Sequence, residues 1–414
     1  MKLASWKKES IQRFHLLLLL VLLFGLCASA SAAVVSGRAS VWSYAREDTV
    51  GHVIVVPQLS ATIAQLGRES LSFQTTLRGF YDFRDGESSD EQVRIQRAVF
   101  VFAPRKSRWE IRAGQQWLTE GVGYGSIAGL WTRYKASSKL SLTAYGGPRL
   151  SRSISLVTGN EDNGIAAGFH ARMKIARHHL GLSYTYTGKE GDILYHGVGV
   201  DGIGKFHSKL NLRARLYMNI EQGTLERAQL IAAWKAKEKI DVTAELRRQT
   251  PRIFEDSYFV RFLEDASTDF VRAAMRWTFY KTLYVKPGTT ALLTEDELLY
   301  KVRLAFGIPI FEVGFTHWLS ISEGTMDGFY GQAQYRIGRY GQVFGGFDFS
   351  KSSNSDVRED VNSHATYAGA SYNITNAIHV SGRVEHIEDF ERSEDIRGLF
   401  SLSARFSTLH GSER

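Results

Sequence analysis

Hydrophobic and polar residues alternate strictly in one long stretch of the chain, KFHSKLNLRARLYMN, which covers residues 205–219. Leu212 and Leu216 fall on one phase of this alternation, and Arg213 and Arg215 fall on the other. Successive side chains of a β-strand point to opposite faces, so the stretch predicts one strand with an apolar face and a basic face. Alone, this pattern fits a strand of a soluble sheet as well as a strand that crosses a membrane.

The same alternation recurs along almost the whole chain, from residues 34–46 to residues 394–406. It predicts about 20 strands, in a range of roughly 18 to 22. Short turns such as 103–107 alternate with longer polar loops such as 148–163 and 351–361. Short turns at one end and long loops at the other are typical of transmembrane β-barrels. We therefore predict an all-β protein that forms a single transmembrane antiparallel β-barrel.

Two parts of the chain fit this scheme poorly or lack a clear alternation. The connection at residues 250–267 is long, although the order of strands calls for a short turn on the inner side of the membrane at this place. An extra strand at 256–262 would correct the loop lengths but would make the number of strands odd. Residues 188–204 and 282–297 are assigned to loops. Among the predicted loops, 148–163 and 188–204 are the candidates for a loop that folds into the barrel and narrows its lumen.

The N-terminus has the pattern of a secretory signal. Residues 1–32 contain a basic start, an apolar run from Leu16 to Leu26 that is too short to span a bilayer, and small residues around Ala30. A lipoprotein would be lipidated at Cys27, but Leu26 stands where a small residue is expected. We predict a signal peptide at 1–32 and a barrel at 33–414. Since Cys27 is the only cysteine, the mature chain lacks disulfides, thiolate metal sites and haem attachment motifs.

Basic residues are concentrated on the polar phase of the predicted strands, and the full chain has a formal charge of +8. Cations along low-dielectric walls focus a positive potential through a lumen. An alternative is that the arginines brace the wall through pairs with acids. Arg97 is an exception, because it falls on the apolar phase unless a β-bulge turns it inward. The predicted pore-lining residues are Arg94, Arg112, Arg133, Arg172, Lys174, Lys209, Arg213, Arg215, Arg272, Arg276, Lys301 and Arg303.

Aromatic residues occur near both ends of the predicted strands. Trp109 and Trp117 share one face of a strand, about 26 Å apart along it, which is ~20 Å of height after tilting. This spacing predicts two aromatic girdles, to which Trp277 also contributes. The last predicted strand ends in Phe406 and resembles the C-terminal signal of bacterial outer-membrane proteins, although Ser407–Arg414 extends beyond it.

On these residues the chain resembles the bacterial outer-membrane porin-type β-barrels, over nearly all of its mature length. The resemblance implies a multi-pass barrel in the bacterial outer membrane, in contact with lipid, that forms a pore for small anionic solutes. Some such barrels instead sheathe a multihaem cytochrome in a porin–cytochrome complex that carries electrons across the outer membrane. A basic lumen would suit that partner, and residues 250–267 are a candidate segment for docking a periplasmic protein.

The sequence contains no recognisable catalytic set. Its histidines are scattered, and the pair His178–His179 has no further ligand at metal-binding spacing. We therefore predict that the protein is not an enzyme, that it has no catalytic or metal site, and that it binds no cofactor, with haem present only through a cytochrome partner. A nucleic-acid partner is not expected.

Overall fold

A computed structural model describes the mature part of the chain with several gaps. The predicted signal peptide and the predicted extra strand at 256–262 lie outside the described residues. The described residues are 34–47, 52–66, 70–84, 91–150, 164–250, 267–294, 297–320, 324–353, 361–389 and 392–408.

These residues form 22 β-strands in one sheet. Their bounds are β1 Val34–Glu47, β2 His52–Ala64, β3 Leu71–Arg84, β4 Glu91–Phe102, β5 Trp109–Leu118, β6 Gly125–Lys135, β7 Leu140–Leu150, β8 Ile165–Ile175, β9 His178–Lys189, β10 Asp192–His207, β11 Leu210–Asn219, β12 Thr224–Lys237, β13 Ile240–Gln249, β14 Thr268–Tyr280, β15 Leu283–Leu293, β16 Leu298–Ile308, β17 Phe311–Ser320, β18 Gly324–Ile337, β19 Gly341–Ser353, β20 Val361–Asn373, β21 Ile378–Asp389 and β22 Arg392–Ser407.

Each strand pairs antiparallel with the next one along the chain, and the sheet closes on itself. The closing pair is β1 with β22, in register from Ser36 opposite Ser407 to Glu47 opposite Ile396. Closure removes the unpaired edges that an open sheet would expose. The prediction of an all-β, single antiparallel barrel is confirmed, with the strand number at the upper end of the predicted range. None of the described residues belongs to a helix long and apolar enough to cross a membrane.

Two strands lie where loops were predicted, and for this reason the predicted number of about 20 strands was lower than the 22 observed. β10 occupies most of 188–204, and β15 occupies most of 282–297. β10 is rich in glycine and valine, and β15 contains Pro287 and Gly288, so neither shows the usual contrast between apolar and charged positions. Residues 188–204 therefore form wall rather than an infolded loop.

The stretch 205–219 is two strands rather than one, so its prediction as a single strand was wrong. β10 ends at His207, a turn follows at Ser208 and Lys209, and β11 begins at Leu210. A two-residue turn alone would invert the alternation, but a β-bulge between Lys205 and His207 restores its phase, so the local pattern continues through the turn unchanged. Lys209 consequently lies in a turn at one end of the barrel.

With these two strands added, all the connections fall into two consistent groups. The turns at 176–177, 208–209, 281–282 and 309–310 lie at one end, which also holds both ends of the barrel chain. The connection at 250–267 lies at the opposite, long-loop end. Its predicted position on the inner side was therefore wrong, and the apparent misfit in loop lengths disappears.

The outward phase of the strands is an apolar belt with aromatic residues at its ends. Trp109 and Trp277 are exposed near the short-turn end, and Trp117 is exposed near the long-loop end. Between them the wall exposes leucines, valines and phenylalanines. An outward face of this kind is suited to hydrocarbon, with the aromatic rings placed at its two borders.

A β-bulge in β4 turns Arg97 toward the lumen. Arg97 pairs with Thr76, whereas Ile95 pairs with the next residue of β3, Leu77. Gln96 is thus the extra residue, and the phase of β4 changes across it. The sequence places Arg97 on the apolar phase, so a bulge was predicted here if Arg97 faces the lumen, and the bulge is present.

Candidate functional site

Strand pairing brings basic residues from distant parts of the chain onto one row of the inner wall. From Arg213 the row passes through Ile231 to Glu245, and from there to Arg272. It then continues through Thr290 of β15 to Lys301. Every member faces the lumen, because each occupies the phase opposite to the apolar belt.

The predicted lining residues lie on this inward phase, except Lys209 in its turn. Arg94 and Arg112 face inward from β4 and β5. The remaining inward residues lie on β6, β8, β11, β14 and β16, and they are Arg133, Arg172, Lys174, Arg213, Arg215, Arg272, Arg276, Lys301 and Arg303.

One group of cations is neutralised by a buried carboxylate, that of Glu312, whose side chain is 4% exposed. Glu312 accepts hydrogen bonds from the hydroxyls of Tyr284 at 2.9 Å and Tyr330 at 3.0 Å. It also forms ion pairs with Lys286 and, at 3.2 Å, with Arg303. We call these five residues the Glu312 cluster. Lys286 was missed from the sequence because β15 was taken for a loop.

We expect Glu312→Gln to destabilise the barrel by about 1–3 kcal/mol, since two cations would lose their shared counter-charge in a partly desolvated wall. The measurement is the temperature at which the barrel loses its heat-modifiable mobility on SDS gels. Glu388→Gln is the matched control, because the pair of Glu388 with His364 is exposed and contributes little. A Glu312 variant as stable as the control would show that the cluster is not stabilising.

A second group of cations braces the wall near β5 and β6. Arg112 donates to Glu110 at 2.9 and 2.6 Å, and Arg133 lies 3.5 Å from Glu110 and 3.4 Å from Glu120. Both guanidinium groups also lie over the ring of Trp131, at 4.1 and 4.7 Å from its centroid. Here the bracing alternative describes the arginines correctly.

A third group of cations faces acids of the neighbouring strand without forming ion pairs. Glu245 is the cross-strand partner of Arg272, and Asp241 is that of Arg276. Among the residues the structure describes, Arg272, Arg276 and Lys301 form no ion pair, and Lys301 lies 4.0 Å from the ring of Trp318. These three cations line a cavity of about 540 Å³ together with Asp241, so the cavity presents more positive than negative charge to a solute in the lumen.

A short segment at 119–124 folds into the barrel. The backbone N–H of Val122 donates to Ser183 Oγ at 2.9 Å, and Val122 is 1% exposed. Gly121 has a φ of 58°, and a Cβ at this position would overlap the side chain of Ser183. The segment narrows the lumen on the side of β8 and β9. Of the two loops predicted for this role, 188–204 is mostly strand, and 151–163 lies outside the described residues.

No group of three or more His, Cys, Asp or Glu side chains is placed to hold a metal ion anywhere in the described ranges.

The fold is shared with proteins of very different sequence. The translocation pore of the P pilus usher PapC matches with a TM-score of 0.51 and 9% identity, over 91% of this chain and 100% of that one. OccK7 (OpdD) of Pseudomonas aeruginosa matches with a TM-score of 0.45 and 7% identity, over 91% of this chain and 99% of that one. No protein-family model and no curated protein sequence matches. The predicted likeness to porin-type barrels is confirmed at the level of fold.

Proposed function

We propose that the protein is an outer-membrane channel that passes small solutes and prefers anions. The closed sheet, the outward apolar belt and the aromatic residues at its borders support a position across a bilayer. A barrel of this strand number encloses a lumen wide enough for solutes. The observation that carries the anion preference is the group Arg272, Arg276 and Lys301, which forms no ion pair within the described wall and outnumbers Asp241, the acid that lines the same cavity.

The orientation we propose places the short-turn end in the periplasm and the long-loop end outside the cell. Epitope tags inserted at residues 151–163 or 354–360 should then bind antibody on intact cells. A tag in the turn at Ser208–Lys209 is the control, and it should become accessible only after the outer membrane is permeabilised. The reverse pattern of labelling would contradict this orientation.

The second candidate is a sheath around a multihaem cytochrome. The same excess of inward cations would suit haem propionates and an acidic protein surface. The sheath is tested without a conductance measurement. If the protein is a sheath, haem should co-purify with the barrel when it is extracted gently from membranes. A haem-free barrel that conducts ions contradicts the sheath and agrees with the channel.

A further inference from the structure

The strands at the closure of the barrel carry a separate set of inward arginines. Arg38 of β1 is the direct cross-strand partner of Arg405 of β22. A row of pairs leads from Arg38 through Ser60 and Thr76 to Arg97. Arg78 lies two residues beyond Thr76 on β3, opposite Arg94 of β4. We call Arg38, Arg78, Arg97 and Arg405 the seam arginines.

Most inward positions around the seam arginines carry neutral side chains that are able to form hydrogen bonds, although Arg94, Phe80 and Val99 also lie there. The hydrogen-bonding positions are Ser36, Ser40, Gln58, Ser60, Thr62, Gln74, Thr76 and Ser403. Serine, threonine and glutamine side chains all donate hydrogen bonds to oxyanions. The wall at this place thus combines cations with neutral donors.

Within the described ranges, none of the four seam arginines forms an ion pair, and the Nε of Arg97 is buried without a hydrogen-bond partner. The inward acids on the same strands are engaged elsewhere. Asp82 lies 3.5 Å from His52, and the fully buried Asp395 lies 3.1 Å from Arg46. The seam therefore differs from the Glu312 cluster, where a carboxylate neutralises its cations.

This arrangement is unfavourable for an empty barrel. Like charges directly opposite each other on a sheet are destabilising, and Arg38 faces Arg405 in this way. The bulge at Gln96 adds to the repulsion, because it turns Arg97 inward when a regular strand would have left it outside. A multivalent anion bound at the seam would relieve this repulsion, since arginine forks match anionic oxygens well.

We propose that the seam arginines form a binding site in the lumen for a small solute with several anionic oxygens. The site would hold a ligand by charge-assisted hydrogen bonds from the arginines and by neutral bonds from the surrounding hydroxyls and amides. The inference rests on the proposed function in that the solute reaches the site through an open lumen. Oligophosphates and polycarboxylates share this chemistry, so both are included in the test.

The test measures binding of inorganic tripolyphosphate to the purified full-length barrel in detergent by calorimetry, with citrate in a parallel series. The seam variant is Arg38→Gln, Arg78→Gln and Arg97→Gln together. We expect its affinity for the bound probe to fall about 100-fold or more, since each charge-assisted contact contributes roughly tenfold. Binding of tripolyphosphate alone or of citrate alone identifies the anionic group that the site prefers.

The matched control removes three positive charges from short turns outside the lumen, by Lys239→Gln, Lys281→Gln and Arg339→Gln. These residues follow β12, β14 and β18, on the side of the ring away from the seam. We expect this control to keep the affinity of the wild type within about threefold, because screening weakens charges that lie beyond a Debye length of ~8 Å. Equal losses in both variants, or no binding of either probe by the wild type, would overturn the site.

Stability distinguishes a ligand site from a structural brace. Because the seam variant removes repulsion between like charges, it should unfold at a higher temperature than the wild type when no anion is present. A lower unfolding temperature would mean that the protein itself already neutralises the arginines, and would overturn the proposal. A conductance measurement distinguishes the channel proposal from the seam-site proposal. A barrel that does not conduct ions but binds the probes through the seam arginines would contradict the channel and leave the seam site supported.

Discussion

Replacing Arg213, Arg215, Arg272 and Arg276 with glutamine should abolish the preference of the pore for chloride over potassium in planar bilayers. The wild type should prefer chloride, because inward cations that outnumber the inward acids raise the local anion concentration and repel cations. Glutamine keeps the positions polar and removes four charges from one side of the lumen. The measurement is the reversal potential in a gradient of potassium chloride.

The matched control removes four positive charges that lie in short turns, outside the lumen. Its substitutions are Lys209→Gln, Lys239→Gln, Lys281→Gln and Arg339→Gln, and it should remain selective for chloride. The selectivity of the wild type should also fade in molar salt, where the Debye length falls to ~3 Å. A wild type that prefers potassium, or a lumen variant that keeps its chloride preference, would contradict the role of these arginines.

Leu212→Arg should impair assembly of the barrel, whereas Arg213→Leu should leave assembly intact. The two residues are neighbours on β11, but Leu212 lies on the apolar belt and Arg213 faces the lumen. An arginine that faces lipid near the middle of a bilayer costs ~2–4 kcal/mol. The measurement is the fraction of protein that folds into lipid vesicles, read from heat-modifiable mobility on SDS gels.

Two further substitutions separate the effect of position from the effect of charge. Leu212→Ala should fold with only a small loss, since it keeps the outward face apolar. Arg213→Gln should fold as Arg213→Leu does, because the lumen accepts both polar and apolar side chains. Equal defects in Leu212→Arg and Arg213→Leu would mean that the two faces are assigned wrongly or that the belt does not contact lipid.

The amino-acid sequence is sufficient to establish the class of fold and to identify most strands of the wall. Alternation is a local property of the chain, so each strand with a clear contrast between its two faces could be recognised separately, as β8 and β22 were. The inward phase of Arg213 and Arg272 followed from the same local rule. The bulge near Arg97 could also be predicted locally, because a charged residue on the apolar phase can be recognised from one strand without knowledge of its partner strand.

Local alternation failed where the two faces of a strand are chemically similar or where a turn preserves its phase. β10 and β15 were missed for the first reason, and the turn at Ser208–Lys209 was missed for the second. These omissions placed residues 250–267 at the wrong end, since the side of a connection depends on the number of strands before it.

Which cations form ion pairs with acids is visible only in the folded barrel. Lys286 and Arg303 share Glu312, whereas Arg272 and Lys301 form no ion pair within the described wall. The pairing of Arg38 with Arg405 joins the two ends of the barrel chain. Such contacts depend on strand register and on closure, which couple residues far apart in sequence. Alternation specifies the face of each residue, but closure and register specify its neighbours.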